Sequence, residues 1–345
     1  MPAKLRVKMS PVRILLFTLL ALAGCAPRIQ NIGPPIDQPS FSDQVFHTAD
    51  GVDLPVKTWV QWHGDESRAP TGIILALHGF NDHSGGLALP GSGLSRRGFR
   101  MYAYDQRGFG ATPQRGIWPG TEQLILDLKT AVHLLKRRYP DQPLYLLGES
   151  MGAAVIMAAS VETDPPATDG IILVAPAVWG LQTQSNFNRD VLELAAHAVP
   201  WMTVVPTGLR LRASSSNRAL LDMARDPRVI KETRIDAAYG LVDLMTRAFD
   251  AAGEMKSPRC LILYGANEAI MSRSAVSMML QRLPKLPPDQ LRVALYKKGY
   301  HLLLRDWIAP TVYDDIAAWI QDPGKPLPSG ADIKSGAGAK AMQPE

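Results

Sequence analysis

A chain of 345 residues with 46% hydrophobic side chains can hold one large α/β domain or two smaller ones, and can bury a sizeable core. The formal net charge is +5, but Lys4, Arg6, Lys8 and Arg13 fall in a leading segment expected to be removed, which leaves about +1 on the mature chain. That balance carries no electrostatic footprint for nucleic acid, which is excluded as a partner.

The leader has a basic head, Met1 to Arg13, and then about ten apolar residues from Ile14 to Ala23, too few for a bilayer that needs roughly 20. It reads as an export signal. Its end, Leu22-Ala23-Gly24-Cys25, resembles the lipobox of bacterial lipoproteins, where small residues precede a cysteine that is lipidated and becomes the new N-terminus. The resemblance implies a signal peptide over 1–24 and a lipid anchor on Cys25, with several acyl chains holding the protein to the cell envelope where one would bind only marginally. Ala26, where an Asp would favour the inner membrane, leans toward the outer membrane and the periplasm. The alternative is an ordinary signal peptide with an incidental cysteine. The sequence has 2 cysteines. With Cys25 lipidated, Cys260 has no partner for an intrachain disulfide and reads as a small buried hydrophobe.

Residues 25–44 carry Pro27, Pro34, Pro35 and Pro39 and read as an extended tether. The domain is expected from Val45, opening with a hairpin turned at Ala49-Asp50-Gly51, whose Trp59 and Trp62 are expected to pack. A strand at Ile73 to Gly79, a glycine-rich turn, a short helix near Leu94 to Arg97 and a strand at Phe99 to Asp105 follow. A helix is predicted from Glu122 to Arg138, with Leu124, Leu128, Ala131, Leu134 and Leu135 on one face. Then come an apolar strand, Leu144 to Leu147, the pentapeptide Gly148-Glu149-Ser150-Met151-Gly152, an alanine-rich helix, and a strand at Gly170 to Pro176. Strands that are apolar almost throughout, alternating with helices, indicate an α/β fold with a mostly parallel sheet covered on both faces. Residues 181–257 show helix-like segments and no strand, the pattern of a helical insertion. Strands return at Arg259 to Gly265 and Leu291 to Gly299, and a last helix is expected from Asp306 to Ile320 with Trp307, Ile316, Trp319 and Ile320 on its apolar face. The core is thus 45–180 with 258–321, and the tail, 322–345, is too poor in apolar residues to order itself.

A strand, a sharp Gly-x-Ser-x-Gly turn and a helix together form an elbow that holds a serine Oγ clear of the backbone, so Ser150 is the candidate nucleophile. A serine needs a base, and the base needs an orienting group. The chain order expected after such an elbow is serine, acid, histidine. His197 lies inside the insertion, and His301 follows the last strand, so His301 is the base. The acid is expected in the turn after the strand Leu261 to Gly265, where Glu268 is the available carboxylate. Asp243 and Asp250 compete for that role, and Glu268 also fits a solvated turn residue. Two N–H donors for an oxyanion are expected from Met151 and from Phe80, in the loop after the first core strand. His78 is expected to brace loop backbone, and Asn81 and His83 either line the mouth or sit in a solvated loop.

The set His78-Gly79-Phe80-Asn81-Asp82-His83-Ser84, Asp105-Gln106-Arg107-Gly108-Phe109-Gly110, Gly148-Glu149-Ser150-Met151-Gly152 and Gly299-Tyr300-His301 resembles the α/β-hydrolase fold, and within it the monoacylglycerol lipase and lysophospholipase group, often labelled serine aminopeptidase-like. The resemblance covers about Val45 to Ile320. It implies an eight-stranded, mainly parallel sheet, a helical cap, no metal and no cofactor, and hydrolysis of monoacyl lipid esters through an acyl-enzyme. A general carboxylesterase, a peptidase and a non-catalytic binding lipoprotein are the competing readings. Glu268 departs from the aspartate usual in this group. The insertion's Leu, Met and Val residues and Trp201 suit either a cap over an acyl chain or plain packing. Arg210, Arg212, Arg218, Arg225, Arg228 and Arg234 suit either a phosphate or a solvated face.

Overall fold

The computed structural model describes residues 26–60, 69–179, 186–205, 212–255 and 259–333. Cys25 and the leader, Trp62, Arg210 and the tail beyond 333 lie outside the described residues. The strands are β1 (Ser40–Phe41), β2 (Val45–His47), β3 (Asp53–Trp59), β4 (Gly72–Leu77), β5 (Phe99–Tyr104), β6 (Leu144–Glu149), β7 (Gly170–Val174), β8 (Thr203–Val204), β9 (Thr233–Arg234), β10 (Cys260–Gly265) and β11 (Leu291–Tyr296). The helices are α1 (Ala88–Ser95), α2 (Thr121–Arg138), α3 (Met151–Ser160), α4 (Asn186–Ala198), α5 (Asn217–Arg225), α6 (Ile235–Ala251), α7 (Arg273–Arg282) and α8 (Ala309–Gln321).

A 9-stranded sheet runs in the order β1-β2-β3-β5-β4-β6-β7-β10-β11. From β5 to β11 the pairings are parallel, while β1, β2 and β3 join antiparallel at one edge. This is the α/β-hydrolase arrangement implied by the motifs, with the two-residue β1 added to the expected eight strands. The reason the central strands are apolar throughout is visible in their alternation. Along β4, Ile73, Leu75 and Leu77 face one core, while Ile74 and Ala76 face the other. Period two sends successive side chains to opposite faces, and here both faces are covered. α2, α3, α6 and α7 bury residues in the first core, and α1 and α8 bury residues in the second.

After β4 the chain places β5 on one side, then returns to place β6 on the other. Strand order therefore reverses at β4 and β6, where the connections diverge and leave a crevice at the carboxyl ends. Leu77 of β4 sits opposite Gly148 of β6, so the loops that follow both strands open into that crevice.

Several expectations are corrected. The residues read as an extended tether are docked: Gln30 N–H donates to Trp118 O at 2.9 Å, Arg28 N–H to Asp236 Oδ2 at 3.3 Å, and Ser40–Phe41 pair with Phe46–His47. The tail up to 333 is also held, because β11 is a sheet edge whose free backbone groups accept a partner. Leu295 N–H donates to Ala331 O and Ile333 N–H to Val293 O, and Arg292 pairs with Asp332. The insertion contains a short strand pair, β8 with β9, and α6 returns Leu244, Met245, Ala248 and Phe249 to the core against α3. The last helix begins at Ala309, which leaves Trp307 outside it, 73% exposed. The early helix is α1, ahead of the expected Leu94 to Arg97. Trp59 packs tightly over Gly91 of α1, as a Cβ there would meet its ring at 2.2 Å.

Candidate active site

Ser150 sits between β6 and α3 at φ 55° and ψ −113°, the left-handed side of the map that costs a side-chain-bearing residue about 1–3 kcal/mol. The flanking packing enforces it. A Cβ on Gly148 would lie 2.4 Å from Ala153 N, and one on Gly152 would lie 2.3 Å from Leu77 O. Only glycine lets the elbow's strand and helix pass each other, and the helix start pass β4, that closely. The Ser150 N–H donates to Val174 O at 2.9 Å, which pins the turn to the neighbouring β7.

His301 Nε2 lies 3.0 Å from Ser150 Oγ, and His301 Nδ1 lies 2.7 Å from Glu268 Oε2. The structure thus brings together three residues spread over 151 positions of chain. Glu268 Oε1 accepts the N–H groups of Ile270 at 2.7 Å and Met271 at 2.9 Å, so both carboxylate oxygens are used. Burial by itself raises the Glu268 pKa, but the attraction and hydrogen bond of His301 and the two N–H donors outweigh it, and the carboxyl is held below its ordinary 4.5. A Cβ on Gly265 would meet Gly299 carbonyl atoms at 2.4 Å, and Asn267 N–H donates to Gly299 O at 2.9 Å. That contact fixes the acid's turn against the histidine's loop. The competing acids are engaged elsewhere: Asp243 with Arg247 and Thr121, and Asp250 with Arg282.

Phe80 and Met151 flank the serine from the two sides of the crevice, and neither N–H has an acceptor among the described residues. Met151 is the first residue of α3, where a helix leaves its N–H groups unpaired and its dipole favours negative charge. A Cβ on Gly79 would lie 3.5 Å from Ser150 Cβ, so the loop carrying Phe80 abuts the elbow. His78 braces this loop. Its Nδ1–H donates to Gly79 O at 2.8 Å, and its Nε2 accepts from Gln106 N–H at 3.0 Å. Burial lowers its pKa and keeps the ring neutral, as this donor and acceptor pair requires. The Asp105-to-Gly110 segment completes the brace: Asp105 accepts from the Ser84 and Ala111 N–H groups, and Arg107 pairs with Asp50 and Asp127. Asn81 and His83 tie this loop to the insertion, through Thr233 Oγ1 at 2.7 Å and Asp226 Oδ2 at 3.2 Å.

Sequence reasoning missed a buried ion cluster. Arg305 Nη2 lies 2.7 Å from Glu149 Oε2 and 2.8 Å from Asp82 Oδ2. It joins the loop of Phe80, the elbow of Ser150 and the segment after His301. The signal was present: Glu149 lies within an apolar strand-turn-helix unit, and a buried carboxylate there requires a cation. Burial opposes the Arg305 charge, yet Glu149 and Asp82 hold its pKa above the usual value.

The basic residues considered for a phosphate are largely paired: Arg218 with Asp222, Arg228 with Asp226 and Arg234 with Asp236. Arg212 donates to the Ser214 and Ser215 carbonyls and lies over the Tyr300 ring. Arg225 is exposed. Cys260 is a free, fully buried thiol.

A family model described as "Serine aminopeptidase, S33" matches residues 68–307. The monoglyceride lipase of Rattus norvegicus is 24% identical over 280 residues, covering 79% of this chain and 88% of the rat protein. The monoacylglycerol lipase of Mycolicibacterium smegmatis is 21% identical over 291 residues, 81% of this chain and 96% of that protein. A crystal structure of a soluble variant of monoglyceride lipase from Saccharomyces cerevisiae, in complex with a substrate analog, matches with a TM-score of 0.66 at 19% identity over 87% of this chain and 100% of that one, a likeness of fold.

Proposed function

The chain belongs to the hydrolase family described as serine aminopeptidase, S33, and from that premise we propose that it is a serine ester hydrolase acting on monoacyl lipids, anchored in the bacterial envelope through Cys25. The observation that carries the reading is the hydrogen-bonded line from Ser150 Oγ to His301 at 3.0 Å and on to Glu268 at 2.7 Å, beside two N–H groups without an acceptor among the described residues.

In this reading the ester carbonyl sits between Ser150 and the N–H groups of Phe80 and Met151. His301 Nε2 takes the serine proton as Oγ attacks, and Glu268 at Nδ1 holds the ring in the accepting tautomer and stabilises the imidazolium. The two N–H groups receive the oxyanion, each contributing about 2.7–4 kcal/mol to the barrier reduction. His301 then gives its proton to the departing alcohol, leaving the acyl chain on Ser150. A water molecule, deprotonated by His301, releases the fatty acid and restores the serine.

The monoacyl-lipid assignment is supported by the similarity to monoglyceride lipases and by a lipid anchor that would keep the enzyme at its substrate's phase. The test is a fluorophosphonate probe followed by a substrate panel. Labelling of the wild type, lost in Ser150→Ala, is expected, and an unlabelled wild type overturns the enzyme reading. On the panel, monoacylglycerol or lysophosphatidylcholine should turn over faster than short p-nitrophenyl esters and Pro-amide peptides. Fastest turnover of the peptide would overturn the lipid assignment.

A further inference from the structure

The N-terminal segment does more than leave the domain. Arg28 N–H reaches Asp236 Oδ2 at 3.3 Å, Gln30 N–H reaches Trp118 O at 2.9 Å, and the Gln30 side-chain amide donates to Ile117 O at 2.9 Å. Asp236, at the start of α6, donates its own N–H to Pro200 O at 3.2 Å, and Ile235 N–H donates to Met202 O at 2.9 Å. β8 then pairs with β9, Thr203 opposite Arg234 and Val204 opposite Thr233. The stem after Cys25 is therefore seated beside the stretch Trp201-Met202-Thr203-Val204-Val205.

All five residues are exposed, with Trp201 at 56% and Val205 at 50%, and all but Thr203, whose hydroxyl donates to Glu232 Oε2, are apolar. α4, which leads into it, also exposes Val191 and Leu194, one helical turn apart. Large apolar side chains exposed this close together in the chain mark a candidate interaction face. What covers it follows from chain length. Cys25 is three residues before Arg28, and an extended chain advances about 3.3–3.6 Å per residue. A lipidated Cys25 thus lies within about 10 Å of the Asp236 contact.

We propose that the docked stem fixes the enzyme's orientation on its membrane, setting the Trp201–Val205 face of the cap onto the bilayer that holds the lipid on Cys25. The inference rests on the anchored reading of Cys25 above. A rigid, short attachment raises the effective concentration of this face at the lipid surface far above what a long flexible tether gives. It also links the bilayer to the reaction site through named contacts, since Thr233 of β9 accepts from Asn81 at 2.7 Å, directly after the oxyanion donor Phe80. Trp201, with its apolar ring and polar N–H, suits the boundary between acyl chains and head groups.

The test uses the full-length processed protein reconstituted in phosphatidylglycerol-containing vesicles. Brominated acyl chains should quench tryptophan fluorescence, and Trp201→Phe should remove most of that quenching; quenching unchanged in Trp201→Phe overturns the face. Inserting about 20 Gly/Ser residues between Ala26 and Pro27 should lower turnover of vesicle-embedded monoacylglycerol at least about five-fold while leaving a water-soluble short ester unaffected. Equal vesicle turnover with and without the insertion overturns the orienting role. Mass spectrometry of the mature N-terminus decides the acylation separately. If the acyl chains are absent the anchored reading fails, and the face is then judged by cosedimentation of the unacylated protein with the same vesicles, where no loss of binding in Trp201→Ser/Val204→Ser overturns it too.

Discussion

Replacing Arg305 by Ala removes the one cation that Glu149 Oε2 and Asp82 Oδ2 share among the described residues. Glu149 is fully buried, and its other oxygen, Oε1, has no hydrogen-bond partner among the described residues, so its charge rests on Arg305. Stripping the partner from a buried pair costs about 3–5 kcal/mol, far more than the pair's net contribution when intact. For a domain of this size that corresponds to a fall of about 6–10 °C in Tm. Activity should fall as well, because the cluster registers the loops of Phe80, Ser150 and His301, and a misplacement of about 1 Å can cost roughly 100-fold in rate. Glu149→Gln in the Arg305→Ala background should recover part of the stability, since it removes one uncompensated charge. Arg305→Lys should rescue only partly, as an ammonium lacks the planar fork. Urea unfolding followed by fluorescence, with kcat on a soluble p-nitrophenyl ester, measures both effects. An Arg305→Ala protein within about 1 kcal/mol of wild type and within twofold in kcat would refute the argument.

Other substitutions probe the remaining parts. Glu268→Gln should lower kcat by about 10⁴-fold in a chain that still folds, because the amide no longer holds His301 in the accepting tautomer; near-wild-type turnover would move the acid's role elsewhere. The Glu268 carboxyl titrates below its ordinary 4.5 in the fold, so the folded chain binds fewer protons than the unfolded one near that pH. Its stabilising contribution is complete above pH 4.5 and lost as pH falls through the depressed folded value. The Tm gap between wild type and Glu268→Gln should therefore shrink from about pH 6 to about pH 3, and a gap that widens on acidification contradicts the assignment. Gly152→Ala puts a Cβ 2.3 Å from Leu77 O, against backbone that cannot move without shifting the His78–Phe80 loop. It should lower both Tm and kcat, and an unchanged kcat would show that the two loops are not rigidly coupled.

The sheet was legible in the sequence because its strands are buried on both sides, so Ile73 to Leu77 or Cys260 to Gly265 read as unbroken apolar runs whatever the chain does elsewhere. The elbow was partly local: Gly148 answers a contact with Ala153 inside the strand-turn-helix unit, whereas Gly152 answers Leu77 of the neighbouring β4. The meeting of Ser150 with His301 at 3.0 Å was anticipated from the order in which the chain visits the carboxyl ends of its strands.

Outside the Ser150–His301–Glu268 set, partnerships made across chain distance were not legible. Nothing near Arg305 in sequence names Asp82 or Glu149, because the three meet only where β4 and β6 lie side by side and the histidine loop folds over them. The proline-rich stem read as an extended tether because prolines favour extension and say nothing of what an extended segment pairs with; Asp236, 208 positions away, decided that. The tail read as unable to order itself because it is poor in apolar residues, which says nothing of backbone pairing, and the open edge of β11 holds it up to residue 333. Composition thus determined which segments are buried in the sheet and which serine is raised at its elbow. Tertiary structure alone decided the partners of Arg305, of the stem and of the tail, because burial creates the demand for a partner and the fold chooses the supplier.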